Sequence, residues 1–109
     1  MKTRSVDEIK VVDMETRFDT HVAQEEKIAL IHLIDEGARK IICNFSNTEY
    51  ISSAGLGVLL SAVKKLRRAN GKVILCSLKP YVRKVFDMAG FAQVFQICDS
   101  EEEAVKSFE

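Results

Sequence analysis

The sequence contains a single proline and has no segment that could serve as a linker. No Pro/Ser/Gly-rich stretch, low-complexity tract or internal repeat occurs in its 109 residues. Hydrophobic residues make up 47% of the chain, which is typical of a protein that buries one core. The sequence therefore predicts one domain over residues 1–109.

The sequence also lacks an excess of either charge and any long hydrophobic run. Sixteen Lys and Arg balance 16 Asp and Glu, so net charge gives no argument for nucleic acid or an anionic membrane. No apolar run reaches the roughly 18 residues of a transmembrane helix. Residues 1–10 have no apolar core of the kind found in signal peptides. We expect a cytoplasmic protein with no nucleic-acid partner and no membrane partner.

Cysteine and histidine are scarce, and they form no catalytic or metal-binding pattern. Cys43, Cys76 and Cys98 match no CxxC or metal-ligand spacing, so we expect small, buried, reduced thiols. His21 and His32 have no nucleophile nearby in sequence and are expected at surface or half-buried helix positions. The GxSxG, GxGxxG and P-loop motifs are absent. We expect no catalytic residue, no cofactor and no bound metal.

Apolar runs alternate with amphipathic segments along the chain. The predicted strands cover residues 9–14, 40–45, 72–78 and 94–97, and residues 2–5 could pair with the first through a turn at Asp7-Glu8. The predicted helices begin at Thr20, Ala54, Pro80 and Ser100. This alternation indicates an α/β fold with a mixed, mostly parallel sheet of four or five strands and about four helices.

The predicted helices have distinct faces and ends. In the first, which runs to Glu36, the apolar residues on helical spacing are Val22, Ile28 and Ile31, with Leu30 and Ile34 as further members. In the second, one face carries Leu56, Leu59, Leu60, Val63 and Leu66. The third carries Val82, Val85, Phe86 and Met88, and the glutamates at 101–103 are expected to form a solvated first turn of the fourth.

Residues 51–57, ISSAGLG, join a short strand-like segment at residues 50–51 to the second helix. Ser52 and Ser53 therefore lie at the carboxyl edge of the sheet, where α/β proteins usually place their sites. The helix start offers free N–H groups that favour an anion, and Gly55 and Gly57 would let a partner or a phosphate approach closely. The alternative is that one serine only caps the helix and the glycines are packing contacts.

The residues from this junction onwards resemble a known family. The segments YISSAGLGVLLSAVKKLRRANGKVILC and LKPYVRKVFDMAGFAQVFQICDSEEEA are similar to STAS domains, specifically the single-domain bacterial anti-sigma factor antagonists. The resemblance covers residues 41–106, and over residues 1–40 only Phe18 and Asp19 fit. In that family a serine after an Asp is phosphorylated. The resemblance implies that Ser53 is the acceptor, with Ser52 as the second candidate in the place of the usual Asp.

The resemblance also implies a mechanism. The unphosphorylated protein would bind an anti-sigma factor that is a serine kinase of the GHKL type, and it would thereby release a sigma factor. Phosphorylation would end that complex, and a PP2C-type phosphatase would restore it. The expected partner surface consists of Ser52, Ser53, Ala54, Gly55, Leu56 and Gly57, with Leu56 either an exposed anchor or, as its helical face favours, a core residue.

Two other functions stay open at this stage. The domain could switch partners for a target other than a sigma factor, or it could bind a small molecule, although no motif predicts a suitable pocket. The basic residues Lys64, Lys65, Arg67 and Arg68 could meet an acidic partner, but a solvated helix end is the favoured interpretation.

Overall fold

The computed structural model, which describes residues 2–109, contains seven strands and four α-helices within that range. The strands are β1 (Lys2–Val6), β2 (Ile9–Asp13), β3 (Arg17–Phe18), β4 (Lys40–Asn44), β5 (Tyr50–Ile51), β6 (Lys72–Cys76) and β7 (Gln96–Cys98). The helices are α1 (Thr20–Asp35), α2 (Ser53–Arg68), α3 (Pro80–Met88) and α4 (Glu101–Lys106), with a 3-10 turn at Phe91–Gln93.

Five of these strands form one sheet in the order β1-β2-β4-β6-β7. The β1 strand is antiparallel to β2, and the other neighbours are parallel, which confirms the mixed, mostly parallel α/β sheet. The predicted hairpin turn is present, and Asp7 adopts the left-handed conformation within it (φ 55°). The β3 and β5 strands form a separate parallel pair, and β3 was not predicted.

Both faces of the sheet are covered, which explains why its central strands are continuous apolar runs. One set of side chains, including Val12, Ile41 and Leu75, packs in the main core with α1, α2 and α3. The alternate set, including Val11, Ile42 and Ile74, packs with Ala104 of α4. Five buried or half-buried phenylalanines, from Phe18 to Phe95, lie in the main core, and Phe45, Phe86 and Phe95 meet edge to face.

Several predicted boundaries were wrong by one or two residues. Asp19, not Thr20, caps α1, because the Asp19 carboxylate accepts from the Val22 N–H at 3.0 Å. The strand predicted over residues 72–78 ends at Cys76, since Ser77 turns into the left-handed conformation (φ 61°). The last strand begins at Gln96 rather than at residue 94, because the preceding residues form the 3-10 turn.

The cysteines are free thiols, as expected, but they are not equally deep. Cys43 and Cys76 are buried, and burial raises the pKa of Cys76 to about 11. Cys98 is only half-buried, because it lies on the short edge strand β7, and its sulfur is 3.7 Å from the Ser107 hydroxyl.

The prediction of a solvated first helical turn at residues 101–103 was wrong for Glu101. Its carboxylate accepts from the Arg4 guanidinium at 2.7 and 3.0 Å and from the Asn44 amide at 2.9 Å. Arg4 also donates twice to Asp13. The hydrogen bonds from Arg4 hold the pKa of Glu101 below its usual value. Because Arg4 lies on β1, Asp13 on β2 and Glu101 on α4, this half-exposed network connects the three elements.

The face of α1 that packs on the core differs from the predicted one. Ile28 is 66% exposed, and the buried residues of α1 are Ala23, Glu26, Leu30 and Ile34. Glu26 is 2% exposed, and neither of its carboxyl oxygens forms a hydrogen bond within residues 2–109. Burial raises the pKa of Glu26 from its usual 4.5 to about 7, because the charged form loses its hydration. Met88, predicted on the apolar face of α3, is likewise 79% exposed.

We expect the stability of the protein to fall as pH rises through the titration of Glu26. Because its pKa is about 7 in the folded chain and 4.5 ordinarily, the folded state holds more protons than the unfolded state between these values. Glu26→Gln should remove this dependence and raise the free energy of unfolding at pH 8 by about 1–3 kcal/mol. Urea unfolding at pH 5 and pH 8 measures both effects.

The exposed neighbour Glu25 supplies the control for this prediction. Glu25→Gln removes a charge from the same turn of α1, and this charge raises the pKa of Glu26 less than burial does, so its unfolding curve should keep most of the wild-type pH dependence. A Glu26→Gln variant whose stability declined with pH as steeply as the wild type would contradict the prediction.

Candidate functional site at the start of α2

The short β3–β5 pair positions the two serines. Phe18 pairs with Ile51 in parallel, and the next residue after β5, Ser52, donates its backbone N–H to the Phe18 carbonyl at 3.0 Å. The chain then enters α2. The serines therefore lie at the carboxyl end of a strand and the amino end of a helix, as the sequence predicted.

Ser52 is the N-cap of α2. Its backbone is extended (φ −93°, ψ 169°), and its side-chain oxygen accepts from the Gly55 N–H at 3.1 Å. The same hydroxyl donates to the Phe18 carbonyl at 3.4 Å. The Ser52 side chain is half-buried and is used within the domain, as an N-cap residue should be.

Ser53 is the first residue of α2, and it differs from Ser52 in exposure and in hydrogen bonding. It is exposed, and its hydroxyl has no hydrogen-bond partner within residues 2–109. The first turn of α2 contains no acidic residue, and its backbone N–H groups carry the positive end of the helix dipole. The Ser53 hydroxyl is thus accessible, and its surroundings within α2 favour an added negative charge.

The remaining residues of the predicted surface divide between the core and the outside. Leu56 is 5% exposed, which confirms the prediction that it packs in the core. The prediction that Gly55 lets a partner approach closely was wrong. Gly55 is buried, and a Cβ at this position would lie 2.9 Å from the Phe18 carbonyl oxygen. Gly57 is exposed with open space where a Cβ would be, and Ala54 is half-buried. The accessible part of the predicted surface therefore excludes Gly55 and Leu56.

Two further side chains border this site and had no signal in the sequence. The Arg17 guanidinium lies 4.7 Å above the centre of the Tyr50 ring, and it is 3.8 Å from the Asp19 carboxylate. Their proximity depends on the pairing of β3 with β5, which sequence patterns did not reveal. A cation is thus fixed on the strand pair that precedes Ser53.

The four basic residues at the end of α2 divide into two pairs. Lys65 is 3.1 Å from the Asp35 carboxylate, and Arg67 donates to the Val94 carbonyl at 3.1 Å. Lys64 and Arg68 are exposed. The interpretation of a solvated helix end therefore fits Lys64 and Arg68, whereas Lys65 and Arg67 also have partners within the domain.

No cluster of three or more His, Cys, Asp or Glu in the described residues could hold a metal ion. His21 and His32 are exposed, and His32 is 3.2 Å from Glu36 one turn further along α1. Within residues 2–109, none of the helices has the length and apolar character required to cross a bilayer.

Comparison with known proteins identifies the family. The sequence profile of the STAS domain matches residues 1–104. The chain belongs to the STAS-domain family. A protein of Bordetella bronchiseptica provisionally named the anti-sigma factor antagonist BtrV is 40% identical to this STAS protein over 86 residues, covering 79% of this chain and 74% of that protein.

Solved structures show the same fold. Unphosphorylated SpoIIAA, an anti-sigma factor antagonist, has a TM-score of 0.78 and 28% identity, covering 98% of this STAS protein and 96% of that chain. The phosphorylated form of Bacillus SpoIIAA gives 0.77 and 27%, covering 99% and 98%. A structure provisionally named an anti-sigma factor antagonist, from Thermotoga maritima, has a TM-score of 0.91 at 23% identity, covering 97% and 92%, and it supports the fold alone.

The two glycines of this STAS protein provide a matched pair of substitutions. In Gly55→Ala the new methyl group would meet the Phe18 carbonyl, which is fixed by the β3–β5 pair, so we expect a loss of about 1–3 kcal/mol in the free energy of unfolding. In Gly57→Ala the methyl group enters open space, and helix propensity should add up to about 1 kcal/mol. Denaturant unfolding measures both. Equal effects of the two substitutions would contradict the packing argument.

The two serines allow an equally direct comparison. Ser52→Ala removes the cap and should cost about 0.5–2 kcal/mol of stability, because the Gly55 N–H loses its acceptor. Ser53→Ala removes a hydroxyl that makes no hydrogen bond, and we expect no loss. Thermal or urea unfolding of the two variants decides between them. Destabilisation by Ser53→Ala rather than Ser52→Ala would show that the cap is assigned to the wrong residue.

Proposed function

We propose that this STAS protein is an anti-sigma factor antagonist that works by partner switching. In its unphosphorylated form it binds an anti-sigma factor that is also a serine kinase of the GHKL type. Phosphorylation of Ser53 ends that complex. Membership of the STAS family and the resemblance to proteins named anti-sigma factor antagonists support this role.

The observation that carries the proposal is the unequal use of the two serine hydroxyls. Ser52 is half-buried and caps α2 through the Gly55 N–H, whereas the Ser53 hydroxyl is exposed and free of hydrogen bonds within the described chain. A kinase can reach Ser53 without disturbing a structural contact. Transfer to Ser52 would break the cap. This difference favours Ser53 as the phosphoacceptor.

The position of Ser53 also favours a switch that leaves the fold intact. A phosphate adds about −1.5 to −2 charges. At the first residue of α2 this charge lies at the positive end of the helix dipole, and the first turn contains no carboxylate to repel it. Its effect is expected at the interface instead. A partner that covers Ser53 would have to desolvate a dianion for which it has no counter-charge.

The same exposure permits reversal by the proposed PP2C-type phosphatase. In the forward step the Ser53 Oγ takes the γ-phosphoryl group of ATP and loses its proton, and ADP leaves. In the reverse step water cleaves the phosphate ester and restores the hydroxyl. This chain supplies the acceptor and the docking surface, and its partners supply the catalysis.

The accessible surface around Ser53 defines where the partner would dock. It includes Gly57, which has open space in place of a side chain, and the half-buried Ser52 and Ala54. Gly55 and Leu56 lie behind this surface and would act by holding it in shape. Because residue 57 has no Cβ, no side chain covers the helix backbone there, and a partner can approach that backbone closely.

The decisive experiment uses a partner captured from native cells with the wild-type protein. We expect Ser53→Asp to weaken binding by about tenfold or more, because the carboxylate places a charge in the interface. Ser53→Ala should bind as tightly as the wild type and take no phosphate from the partner and ATP. Calorimetric titration gives the affinities, and mass spectrometry locates the phosphate.

Ser61 provides the matched control, since it is exposed on α2 further from the helix start. Ser61→Asp should leave binding unchanged if the charge acts locally. Phosphate found on Ser52 while Ser53 stays unmodified would move the acceptor by one residue. A chain that binds the partner but accepts phosphate on neither serine would be a constitutive binding module, and the proposed switch would be wrong. Capture of a target other than an anti-sigma factor would assign the switch to another pathway.

A further inference from the structure

A second surface feature of interest is a cavity at the end of α2 that is remote from Ser53. Its volume is about 470 Å³, and it is formed by the last turns of α2, the start of β6 and the segment of residues 93–96 that leads into β7. Arg67, which lines it, lies about 21 Å from Ser53 along the axis of α2. None of residues 52–57 lines this cavity, so an inference about it does not rest on the proposed function.

The polar side chains of this cavity are two cations and two amides. Arg67 and Lys72 supply the positive charges, and Gln93 and Gln96 supply the amides. All four residues are exposed, so a solute can reach them. No Asp or Glu is among the described residues that line the cavity, although the whole chain has equal numbers of acidic and basic residues. The cavity is therefore locally positive and favours an anion.

These polar groups have hydrogen-bonding capacity that the fold does not use. Arg67 donates from Nη2 to the Val94 carbonyl at 3.1 Å, which holds the guanidinium in place, and its other N–H groups have no acceptor within residues 2–109. Lys72 has no acidic partner in that range, whereas Lys65 is paired with Asp35. The two glutamine side chains make no hydrogen bond in the described chain either. The cavity thus offers several free donors to a ligand.

The carbonyl groups at the end of α2 do not prevent an anion from binding here. The Leu66 carbonyl accepts from the N–H groups of Ala69 and Gly71, and the Arg67 carbonyl accepts from the Asn70 N–H. Because these acceptors are hydrogen-bonded, they are not bare negative ends directed at the cavity. The Arg67 guanidinium offsets the remaining negative end of the helix dipole.

The burial of the apolar wall limits the body of the ligand. Val63, Val73 and Phe95 line the cavity but are only 5%, 7% and 4% exposed, so an apolar molecule would find little surface to contact. Side-chain amides both donate and accept, and they therefore suit a body that carries hydroxyl groups. A phosphate monoester has about two negative charges on one group, which matches the two cations, and its oxygens can accept from the guanidinium in pairs. The volume of the cavity lies within the range of small-molecule sites, about 300–1,000 Å³.

We infer that this cavity binds a small phosphorylated sugar or polyol, with the phosphate group on Arg67 and Lys72 and the hydroxyl groups on Gln93 and Gln96. The free N–H groups of Arg67 donate to the phosphate oxygens, and the Lys72 ammonium adds the second positive charge. The site is a binding site, and no bond forms or breaks in it.

Titration with glucose 6-phosphate at pH 8 and low ionic strength tests this inference, because the phosphate is then a dianion and is little screened. Amide chemical shifts of the wild-type protein should move at residues 66–73 and 93–96. Glucose, which has the same body and no charge, should not move them. Inorganic phosphate, which has no body, and succinate, which is a dianion with neither phosphate nor hydroxyl groups, should each bind about tenfold more weakly.

Two lysine substitutions separate a local charge from the charge of the whole protein. Lys72→Gln removes one of the two cations and no contact within the described chain, so it should weaken binding of glucose 6-phosphate by about tenfold. Lys64→Gln is the matched control, since Lys64 is exposed near the same end of α2 and does not line the cavity. It removes the same charge, and we expect it to leave the affinity unchanged.

Each contrary result overturns the inference. These results are equal affinities for glucose 6-phosphate and either inorganic phosphate or succinate, equal effects of Lys72→Gln and Lys64→Gln, shifts located away from the cavity, or no binding of glucose 6-phosphate by the wild type. None of these outcomes depends on Ser53 or on a kinase.

Discussion

The conformation of the chain at the start of α2 depends on contacts with the backbone carbonyl of Phe18. This carbonyl accepts from the Ser52 backbone N–H at 3.0 Å, and it lies 2.9 Å from the point where a side chain at residue 55 would begin. The β3 backbone therefore lies directly against the first turn of α2. There is no room for a side chain at residue 55, so glycine is required there. With Ser52 held against β3 as the N-cap, Ser53 is exposed. The chemistry proposed for Ser53 thus follows from a backbone contact that Ser53 itself does not make.

The central strands and the helices could be predicted from the sequence because their signals are local. Continuous apolar runs mark β4 and β6, and Pro80 and Ser100 mark helix starts. The two-residue strand β3 has no such signal, since it exists only through its pairing with β5. For the site, the sequence indicated that two hydroxyls stand at a helix start. Their separate roles depend on the direction in which each points, and that direction is set by Phe18.

The buried face of α1 shows why an apolar pattern alone can mislead. Helical spacing placed Ile28 inside, yet Ile28 is 66% exposed and Glu26 is buried. The face of α1 with Ala23, Leu30 and Ile34 packs in the main core, together with residues of α2 and the sheet. The same face of α1 carries Glu26, so its carboxyl group is buried as well. Asp13 and Glu101, by contrast, are both paired with Arg4.

The two edges of the sheet limit how any partner can attach. The β1 strand presents exposed Lys2, Thr3, Arg4 and Ser5, and the other edge strand, β7, has only three residues. A charged edge and a very short edge both oppose the addition of a foreign strand. Attachment through main-chain pairing is therefore disfavoured on both sides. The helix surfaces remain for attachment, and the modification proposed at Ser53 would alter one of them at the start of α2.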